Sequence, residues 1–498
     1  MSFRLDHTAA PLVNALQEIL CQPDAPFYAP GHKRGQEISA ILADCLGSSV
    51  FRADLPELPE LDNLFAPAGA IRAAQVLAAD AFGAEQTWFL VNGSTCGVIA
   101  AILATCGAGD TLILPRNVHQ SAIAGLVLSG AVPVFVQPEY DPVLDLAHSL
   151  TPDSVAAALA QHPDAKAVLL VSPTYYGACG DVVAIAQIAH QYSIPLLVDE
   201  AHGAHFAFHP DLPISALAAG ADLTVQSTHK TLSAMTQAAM LHLQGDRVDP
   251  DRIRQALQLV QSTSPSYILL ASLDAARQQM ATQGKWLMQR TIDRADAART
   301  RISQIPGLSA LQPEQSGTPG FFVLDRTRLT VTVSGLGIDG FKADELLRDR
   351  FSVTAELPSL QHLTFIISLG NTQDDIEQLV EAFEQLGSEQ REPGRNHSTC
   401  NIQALEFNRQ TSVTPRAAFF APSEVVPIAH AHDRISAELV CPYPPGIPVL
   451  VPGEVVTDEA IEYLQQILAA GGVISGCADM SLQSLRVLKH PKTTDPVE

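Results

Sequence analysis

The sequence predicts an α/β protein with a mostly parallel central sheet, followed by smaller α+β units. Between residues 71 and 225, short and continuously apolar runs alternate with helical patterns. Strands that are apolar at every position are typical of a parallel sheet covered by helices on both faces. After Pro306 the pattern changes to short strands with two helices, which is typical of a smaller α+β unit.

Each element of the predicted sheet follows from an apolar run with turn residues at its ends. The predicted strands are 87–91, 111–114, 132–136, 167–171, 195–198 and 223–225. The predicted helices are 11–21, 71–82, 92–104, 121–129, 153–161, 182–192 and most of 255–303, with an interruption at 262–267. Beyond Pro306 we predict strands at 321–324, 329–333 and 363–368, and helices at 343–350, 372–386 and 458–470.

The chain has 498 residues, which is more than one compact domain usually holds. We predict an N-terminal arm at 1–60, a large domain at 61–304, a small α+β domain at 305–388 and a C-terminal domain at 400–498. A polar stretch with Gly and Pro at 387–399 is predicted to link the last two.

Composition excludes several classes of protein. A hydrophobic fraction of 47% with 17% charged residues is typical of a folded globular chain rather than a disordered one. The net charge of −23 argues against binding to nucleic acid or to an anionic membrane surface. The eight cysteines form no Cys-x-x-Cys pair, and no apolar run is long enough to span a membrane. These features favour reduced thiols and a cytoplasmic location.

A candidate reactive lysine follows the last predicted strand of the sheet, in Ser227-Thr228-His229-Lys230. A lysine at the end of a buried strand loses its charge easily, and a neutral amine forms a Schiff base with an aldehyde. The neighbouring hydroxyls and imidazole suit a phosphate. Together they suggest pyridoxal phosphate (PLP). Alone, such a short motif is more often a solvated loop lysine, so the other residues decide.

Two further candidates follow predicted strands. Ser94 and Thr95 stand where strand 87–91 turns into a helix, and a helix start offers free N–H groups to a phosphate. Ser94 as a simple N-cap is compatible with this interpretation. Asp199 ends strand 195–198, where a buried carboxylate needs a cation such as a protonated pyridine nitrogen. The alternative is an Asp that caps the next turn. All lie at the carboxyl edge expected to bind ligands in an α/β sheet.

Histidines provide the remaining candidates. His119 follows strand 111–114 and could stack on a flat ring, although a satisfied loop histidine is the alternative. The spacing of His202, His205 and His209 resembles that of metal ligands. We predict no metal there, because no cysteine or glutamate stands at a matching spacing and Gly203 weakens a rigid helical presentation.

Five groups of residues together resemble the ornithine/lysine/arginine decarboxylases, a family with the aspartate-aminotransferase fold (fold type I). The resemblance covers nearly the whole chain, and the motifs occur in the family's order. They are Ala29-Pro30-Gly31-His32-Lys33, Pro173-Thr174-Tyr175-Tyr176-Gly177, Asp199-Glu200-Ala201-His202-Gly203-Ala204-His205, Ser227-Thr228-His229-Lys230, and Tyr443-Pro444-Pro445-Gly446 with Pro452-Gly453-Glu454.

This resemblance implies the cofactor and the role of each site residue. It implies that Lys230 is the Schiff-base lysine of PLP, that Asp199 pairs with the pyridine nitrogen and that His119 stacks on the ring. Ala201 is expected on the opposite face of the ring. The phosphate contacts are expected from Ser94, Thr95, Ser227 and His229.

The resemblance also implies the reaction, which is decarboxylation of arginine, lysine or ornithine to agmatine, cadaverine or putrescine and CO2, as in polyamine biosynthesis. The expected assembly is a homodimer or larger homo-oligomer with sites at the subunit interface. The chain resembles the shorter branch without an N-terminal receiver-like domain. A cationic substrate tail needs a carboxylate, for which Glu454 is the first candidate and Asp62 the second. Transamination and a non-catalytic regulator with this fold remain alternatives.

Overall fold

The computed structural model describes residues 5–389, 413–443 and 445–489. Most of the predicted linker at 387–399 lies outside these ranges, as do both ends of the chain. Only Gly387 to Glu389 of that linker are described, and they continue the helix Gln373–Glu389. The predicted domain limits therefore stay a prediction.

A seven-stranded sheet organises the first half of the chain. Its spatial order is Gln86–Leu90, Ala239–Leu243, Leu223–Gln226, Leu196–Asp199, Ala167–Val171, Thr111–Pro115 and Val132–Val136. Ala239–Leu243 pairs antiparallel with both of its neighbours, and the strands from Leu223–Gln226 onward are parallel. The predicted mostly parallel sheet is confirmed. The strand Ala239–Leu243 was not predicted, because the buried His242 interrupts its apolar run.

Helices cover both faces of this sheet. Small and branched apolar side chains from the helices interlock with the strands in separate clusters on the two faces. The helices of this part of the chain are Pro11–Cys21, Ala40–Leu46, Ser48–Ala53, Ala70–Phe82, Gly93–Thr105, Gln120–Ser129, Pro152–Gln161, Val182–Gln191, Thr228–Thr231, Pro250–Val260 and Tyr267–Ile302. None of the helices in the described residues is both long enough and apolar enough to cross a membrane.

Two smaller units follow. The first is an antiparallel sheet in the order Ser309–Ala310, Arg328–Thr332, His362–Ile366 and Leu357–Pro358, packed on Gly340–Phe351 and Gln373–Glu389. The second contains the helices Pro415–Phe420 and Asp458–Ala469 with the strand pairs Ser423–Pro427/Ser484–Leu488 and Cys441–Tyr443/Val473–Ser475. The strand predicted at 321–324 is wrong in extent. Only Val323–Leu324 is extended, and it pairs with Ala178–Cys179 instead of joining the small sheet.

Candidate active site

The carboxyl ends of two neighbouring parallel strands bring Asp199 and Lys230 to one edge of the sheet. Asp199 is the last residue of Leu196–Asp199 and lies opposite Val225 of the adjacent strand. Lys230 stands in the single helical turn Thr228–Thr231 that follows that adjacent strand. Their shared edge is the one that the sequence predicts, and it is where α/β sheets bind ligands.

Asp199 offers a buried negative charge at this edge. Its side chain is 8% exposed, and its Oδ1 accepts the N–H of Ala201 at 3.2 Å. Within residues 5–389, 413–443 and 445–489, no cation lies at ion-pair distance from it. Burial raises the pKa of Asp199, and the positive charge of Lys230 opposes that rise. A carboxylate in this position is stabilised by a buried cationic ligand.

Lys230 is half-buried, and its surroundings favour the free amine over the ammonium form. Its Nζ lies 3.0 Å from His202 Nε2 and 5.9 Å from the centre of the Tyr175 ring. Burial lowers the pKa of Lys230, Arg328 lowers it further, and Asp199 opposes the shift. A lysine amine becomes a nucleophile only when it loses its proton, so this environment favours reactivity.

Three of the four residues predicted to contact a phosphate lie at the start of the helix Gly93–Thr105 or beside it. Ser94 and Thr95 lie in its first turn, where backbone N–H groups have no partner within the helix. The Ser227 hydroxyl donates to Ser94 Oγ at 2.7 Å, which joins the ends of two strands. A Cβ built on Gly93, whose φ is +74°, would meet nothing within 4 Å. The helix start therefore faces open space.

Two histidines follow strands of the sheet: His119 comes after Thr111–Pro115, and His229 comes after Leu223–Gln226. His229 Nδ1 donates to the Ala238 carbonyl at 2.9 Å. His119 caps the helix Gln120–Ser129, because its Nδ1 accepts the N–H of Ser121 at 3.2 Å and the Ser121 hydroxyl at 2.8 Å. Burial lowers the pKa of His119 to about 4, with Lys230 adding to the shift. His119 is therefore a neutral ring near Lys230, with its proton on Nε2.

The C-terminal unit contacts this site. The N–H of Gln120 donates to the Gly446 carbonyl at 3.1 Å. Gly446 has φ +87°, and a Cβ added there would lie 3.3 Å from His119 Nε2. The backbone of the Tyr443 to Gly446 motif, whose Pro444 lies outside the described residues, thus packs against the imidazole edge. The contact brings this motif, which lies far from Lys230 in sequence, next to the candidate site.

Glu454 is not placed to bind a substrate, which corrects the first candidate for that role. Its side chain is 1% exposed and pairs with the fully buried Arg116. Arg116 Nε donates to Oε1 at 2.9 Å and Nη2 donates to Oε2 at 2.8 Å. Arg116 also donates to the carbonyl oxygens of Pro448 and Val449. Glu454 therefore fastens the C-terminal unit to the large sheet.

Asp62 also has a structural role instead of the predicted substrate contact. Its carboxylate organises the loop before the helix Ala70–Phe82 by accepting N–H groups of that loop and of the helix start. Burial alone would raise its pKa, but these donors hold the pKa of Asp62 below its usual range. The donors are the backbone N–H groups of Asn63, Ala68, Gly69, Ile71 and Arg72.

The histidines with metal-like spacing point to separate partners. His202 lies against Lys230, whereas His205 Nε2 lies 3.3 Å from Asp325 Oδ1 and 3.0 Å from Thr327 Oγ1. His209 Nδ1 accepts the N–H of Asp211. In the described ranges, no group of three or more His, Cys, Asp or Glu side chains is arranged to hold a metal ion.

The structure adds Arg328 and Glu356, which the sequence analysis did not name. Arg328 begins a strand of the small sheet, and its Nη2 donates to His202 Nδ1 at 2.9 Å. Glu356 precedes the neighbouring strand Leu357–Pro358, and its charge acts on Lys230 and His229. Both residues come from another unit of the chain, and neither stands in a motif, so no local sequence signal identifies them.

A buried polar chain supports the turn after Asp199. Glu200 is 1% exposed and accepts the Ala216 N–H and the Gln226 amide, each at 2.7 Å. Gln226 Oε1 lies 3.1 Å from His242 Nε2, and His242 Nδ1 lies 2.8 Å from Thr87 Oγ1. Burial raises the pKa of Glu200 to about 8, although its two donors oppose the rise. The folded protein therefore keeps this carboxyl protonated at neutral pH.

Replacing Glu200 with Gln should remove a pH dependence of stability. The folded pKa of about 8 exceeds the ordinary value of 4.5, so the folded state binds a proton that the unfolded chain releases. The free energy of unfolding should therefore fall by about 1.4 kcal/mol per pH unit as pH rises between these two values. Urea unfolding at pH 5.5, 6.5 and 7.5 should show a flatter profile for Glu200→Gln. Exposed Glu18→Gln should keep the wild-type slope, and equal slopes in all three proteins would contradict the assignment.

Comparison with known proteins agrees with this geometry. Residues 10–378 match the family profile described as "Orn/Lys/Arg decarboxylase, major domain", and residues 402–477 match its C-terminal domain. The arginine decarboxylase of Bacillus subtilis is 39% identical over 97% of this chain and 98% of its own length. The arginine decarboxylase of Bacillus anthracis is 39% identical over 98% of this chain and 99% of its own length.

Solved structures show the same fold. The lysine decarboxylase LdcF of Francisella novicida superimposes with a TM-score of 0.82 at 21% identity, covering 96% of this chain and 81% of that one. The ureidoglycine-glyoxylate aminotransferase of Bacillus subtilis superimposes with a TM-score of 0.52 at 12% identity, over 67% of this chain and 88% of that one. The predicted aminotransferase-like fold is thereby confirmed. With both family profiles matched and close relatives along nearly its full length, the chain belongs to the Orn/Lys/Arg decarboxylase family.

Proposed function

We propose that this protein removes the α-carboxyl group of a basic amino acid with PLP as cofactor, and that arginine is its preferred substrate. The observation that carries the proposal is the pairing of Lys230 with the buried Asp199 at one edge of the sheet. Arginine is preferred because relatives at 39% identity over nearly the whole chain are arginine decarboxylases, whereas the curated lysine decarboxylases of Escherichia coli are 24% identical.

The donor set at this edge fits PLP. The helix start at Ser94 and Thr95, with the Ser227 hydroxyl beside it, matches a phosphate, and the space at Gly93 is open. The Asp199 carboxylate forms no ion pair with a cation among the described residues. It is therefore available to pair with a pyridinium. Lys230 supplies the amine. We expect His229 to complete the phosphate site, and His119 and Ala201 to lie on opposite faces of the ring.

The residues of the chain would divide the work of the reaction. When bound, PLP supplies the electron sink that stabilises the α-carbon as CO2 leaves. Asp199 offers a carboxylate to the protonated ring nitrogen. Lys230 alternates between holding the cofactor and moving a proton to the α-carbon. Half-buried Tyr175 and buried His202 lie beside Lys230 and limit the access of water to the amine.

Product analysis tests this proposal. The protein with added PLP is incubated in turn with carboxyl-labelled arginine, lysine and ornithine, and both the amine and the CO2 are measured. We expect agmatine and CO2 in equal amounts from arginine, with smaller yields from the other two. Keto acids in place of amines would indicate transamination, and no turnover of any substrate would refute a catalytic role.

With Glu454 and Asp62 engaged elsewhere, we assign the cationic end of the substrate to Glu356. Its backbone N–H is fixed to the Thr364 carbonyl at 3.0 Å, which holds the residue at the edge of the small sheet. Its carboxylate is exposed and makes no hydrogen bond or ion pair with any described residue. It is close enough to Lys230, His229 and Arg328 to act on the pKa of each. A carboxylate that pairs with no described residue and whose charge reaches the site suits a guanidinium or ammonium group.

Glu356→Gln should therefore lower kcat/KM for arginine by about 10- to 100-fold, because a charge-assisted hydrogen bond to the substrate is lost. The loss should appear mainly in KM, and uptake of PLP should not change. Steady-state kinetics give both values. Glu381→Gln, on an exposed face of the helix Gln373–Glu389 in the same unit, is the matched control. An unchanged KM in Glu356→Gln would exclude this assignment.

The exposed surface of the N-terminal arm supports the expected homodimer. The helices Ala40–Leu46 and Ser48–Ala53 bury none of their residues. Phe27 is 96% exposed and Ile41 is 84% exposed. Apolar side chains presented in this way are typical of an interaction surface. We propose that a second copy covers them, and sedimentation of the protein as a monomer at micromolar concentration would contradict this. A cytoplasmic location stays a prediction from the cysteine pattern.

A further inference from the structure

Three side chains from three different elements form a line that ends at Lys230. Arg328, the first residue of a small-sheet strand, places Nη2 2.9 Å from His202 Nδ1. His202, in the turn after Leu196–Asp199, places Nε2 3.0 Å from Lys230 Nζ. Arg328 is 1% exposed and His202 is 5% exposed, so water does not compete for these contacts.

The donors and acceptors along this line can be satisfied in only one way. A guanidinium donates hydrogen bonds and never accepts them, so His202 Nδ1 must be the acceptor. A neutral imidazole then carries its proton on Nε2 and donates it to Lys230. An ammonium has no lone pair to accept that bond. If Lys230 were the ammonium and donated to Nε2, the imidazole would have to lack both protons and be an anion.

Burial favours the uncharged forms of both His202 and Lys230. Burial lowers the pKa of His202 well below its usual value, and the charges of Lys230 and Arg328 lower it further, with His119 and His229 adding to them. Burial and these charges therefore favour the neutral imidazole over the imidazolium. Burial is the largest cause that lowers the pKa of Lys230, and Arg328 adds to it, whereas the charges of Asp199 and Glu356 oppose the shift.

From this geometry we infer that Arg328 and His202 form a tautomer relay that holds Lys230 as the free amine in the cofactor-free protein, the state in which the amine meets the cofactor. Arg328 is a positioning residue, since it acts only through the imidazole, and His202 contacts the amine directly. The inference rests on the proposed function in one respect, because the free amine is the form that reacts with the cofactor aldehyde. It assigns His202, first noticed for its metal-like spacing, to control of the lysine proton.

The relay can be tested without turnover, on the full-length chain freed of cofactor with hydroxylamine. Histidines are labelled with ¹⁵N, and the His202 signal is identified by its loss in His202→Gln. We expect a neutral imidazole with its proton on Nε2. A proton on Nδ1, or a doubly protonated ring at pH 7, would overturn the inference. Because cofactor and product are absent, this result is independent of the proposed decarboxylation.

A second measurement follows the amine itself. Lys230 and exposed Lys285 are labelled competitively with acetic anhydride between pH 6 and 11, and the peptides are quantified by mass spectrometry. We expect the labelling midpoint of Lys230 to lie below that of Lys285. In His202→Gln, the Lys230 midpoint should stay below that of Lys285, because the amide can accept from Arg328 and donate to Lys230. In Arg328→Met, the Lys230 midpoint should move upward. Equal midpoints for the two lysines in the wild type, or a His202→Gln midpoint equal to that of Lys285, would overturn the relay.

Discussion

Replacing Lys230 with alanine should lower the turnover of arginine by about 10³-fold, because one amine serves both to hold the cofactor and to move the proton. The substitution removes a half-buried side chain whose Nζ lies 3.0 Å from His202 Nε2 and 5.9 Å from the centre of the Tyr175 ring. Folding should therefore survive. The initial rate of agmatine formation measures the effect, and circular dichroism checks that the variant is folded.

Two controls sharpen this result. Lys285→Ala, at an exposed position on the long helix Tyr267–Ile302, should keep wild-type turnover. Added methylamine should restore part of the activity of Lys230→Ala, because a free amine can enter the space left by the side chain. Wild-type turnover in Lys230→Ala would show that the reactive amine lies elsewhere.

Replacing Glu454 with alanine should lower the free energy of unfolding by about 3–5 kcal/mol, because it removes one partner of a buried ion pair with the fully buried Arg116. The same change also removes the acceptor of the Val451 N–H, which Glu454 Oε2 holds at 2.9 Å. Urea unfolding measures the loss. Limited proteolysis should show earlier cleavage at the C-terminal unit, since the pair joins that unit to the large sheet.

The double variant Arg116→Met/Glu454→Met tests whether the stability lost in Glu454→Ala comes from a buried charge or from lost contacts. Removing both charges should recover part of the stability lost in Glu454→Ala, because no buried charge is then left alone. The KM for arginine in Glu454→Gln should stay close to the wild-type value, since the carboxylate faces Arg116. A large rise in KM without a loss of stability would restore Glu454 as the substrate residue.

The sheet was predictable because its strands are apolar at consecutive positions and turn residues mark the ends of the strands and helices. The exception, Ala239–Leu243, contains the buried His242. Its ring is hydrogen-bonded to Thr87 and Gln226 on the two neighbouring strands. Such bonds form between residues distant in sequence, so a local pattern cannot reveal that the histidine belongs in a core strand.

The meeting of Asp199 and Lys230 was predictable for a topological reason, since parallel strands carry their carboxyl ends to the same edge. The role of Glu454 was not, because its partner Arg116 lies 338 residues away and an acidic residue in a Pro-Gly turn looks solvent-exposed. The same holds for Arg328, which reaches His202 across 126 residues. Pairings between units depend on tertiary packing, and they decide which carboxylates remain free for a substrate.

Lys230 is the residue expected to bind the cofactor covalently, and chemical reduction of the bound state identifies that residue. The protein is incubated with PLP, reduced with sodium borohydride, digested and analysed by mass spectrometry. We expect a pyridoxyl group on the peptide that contains Lys230, with no other lysine labelled to a comparable extent. A label on a different lysine, or a protein that takes up no PLP, would contradict it.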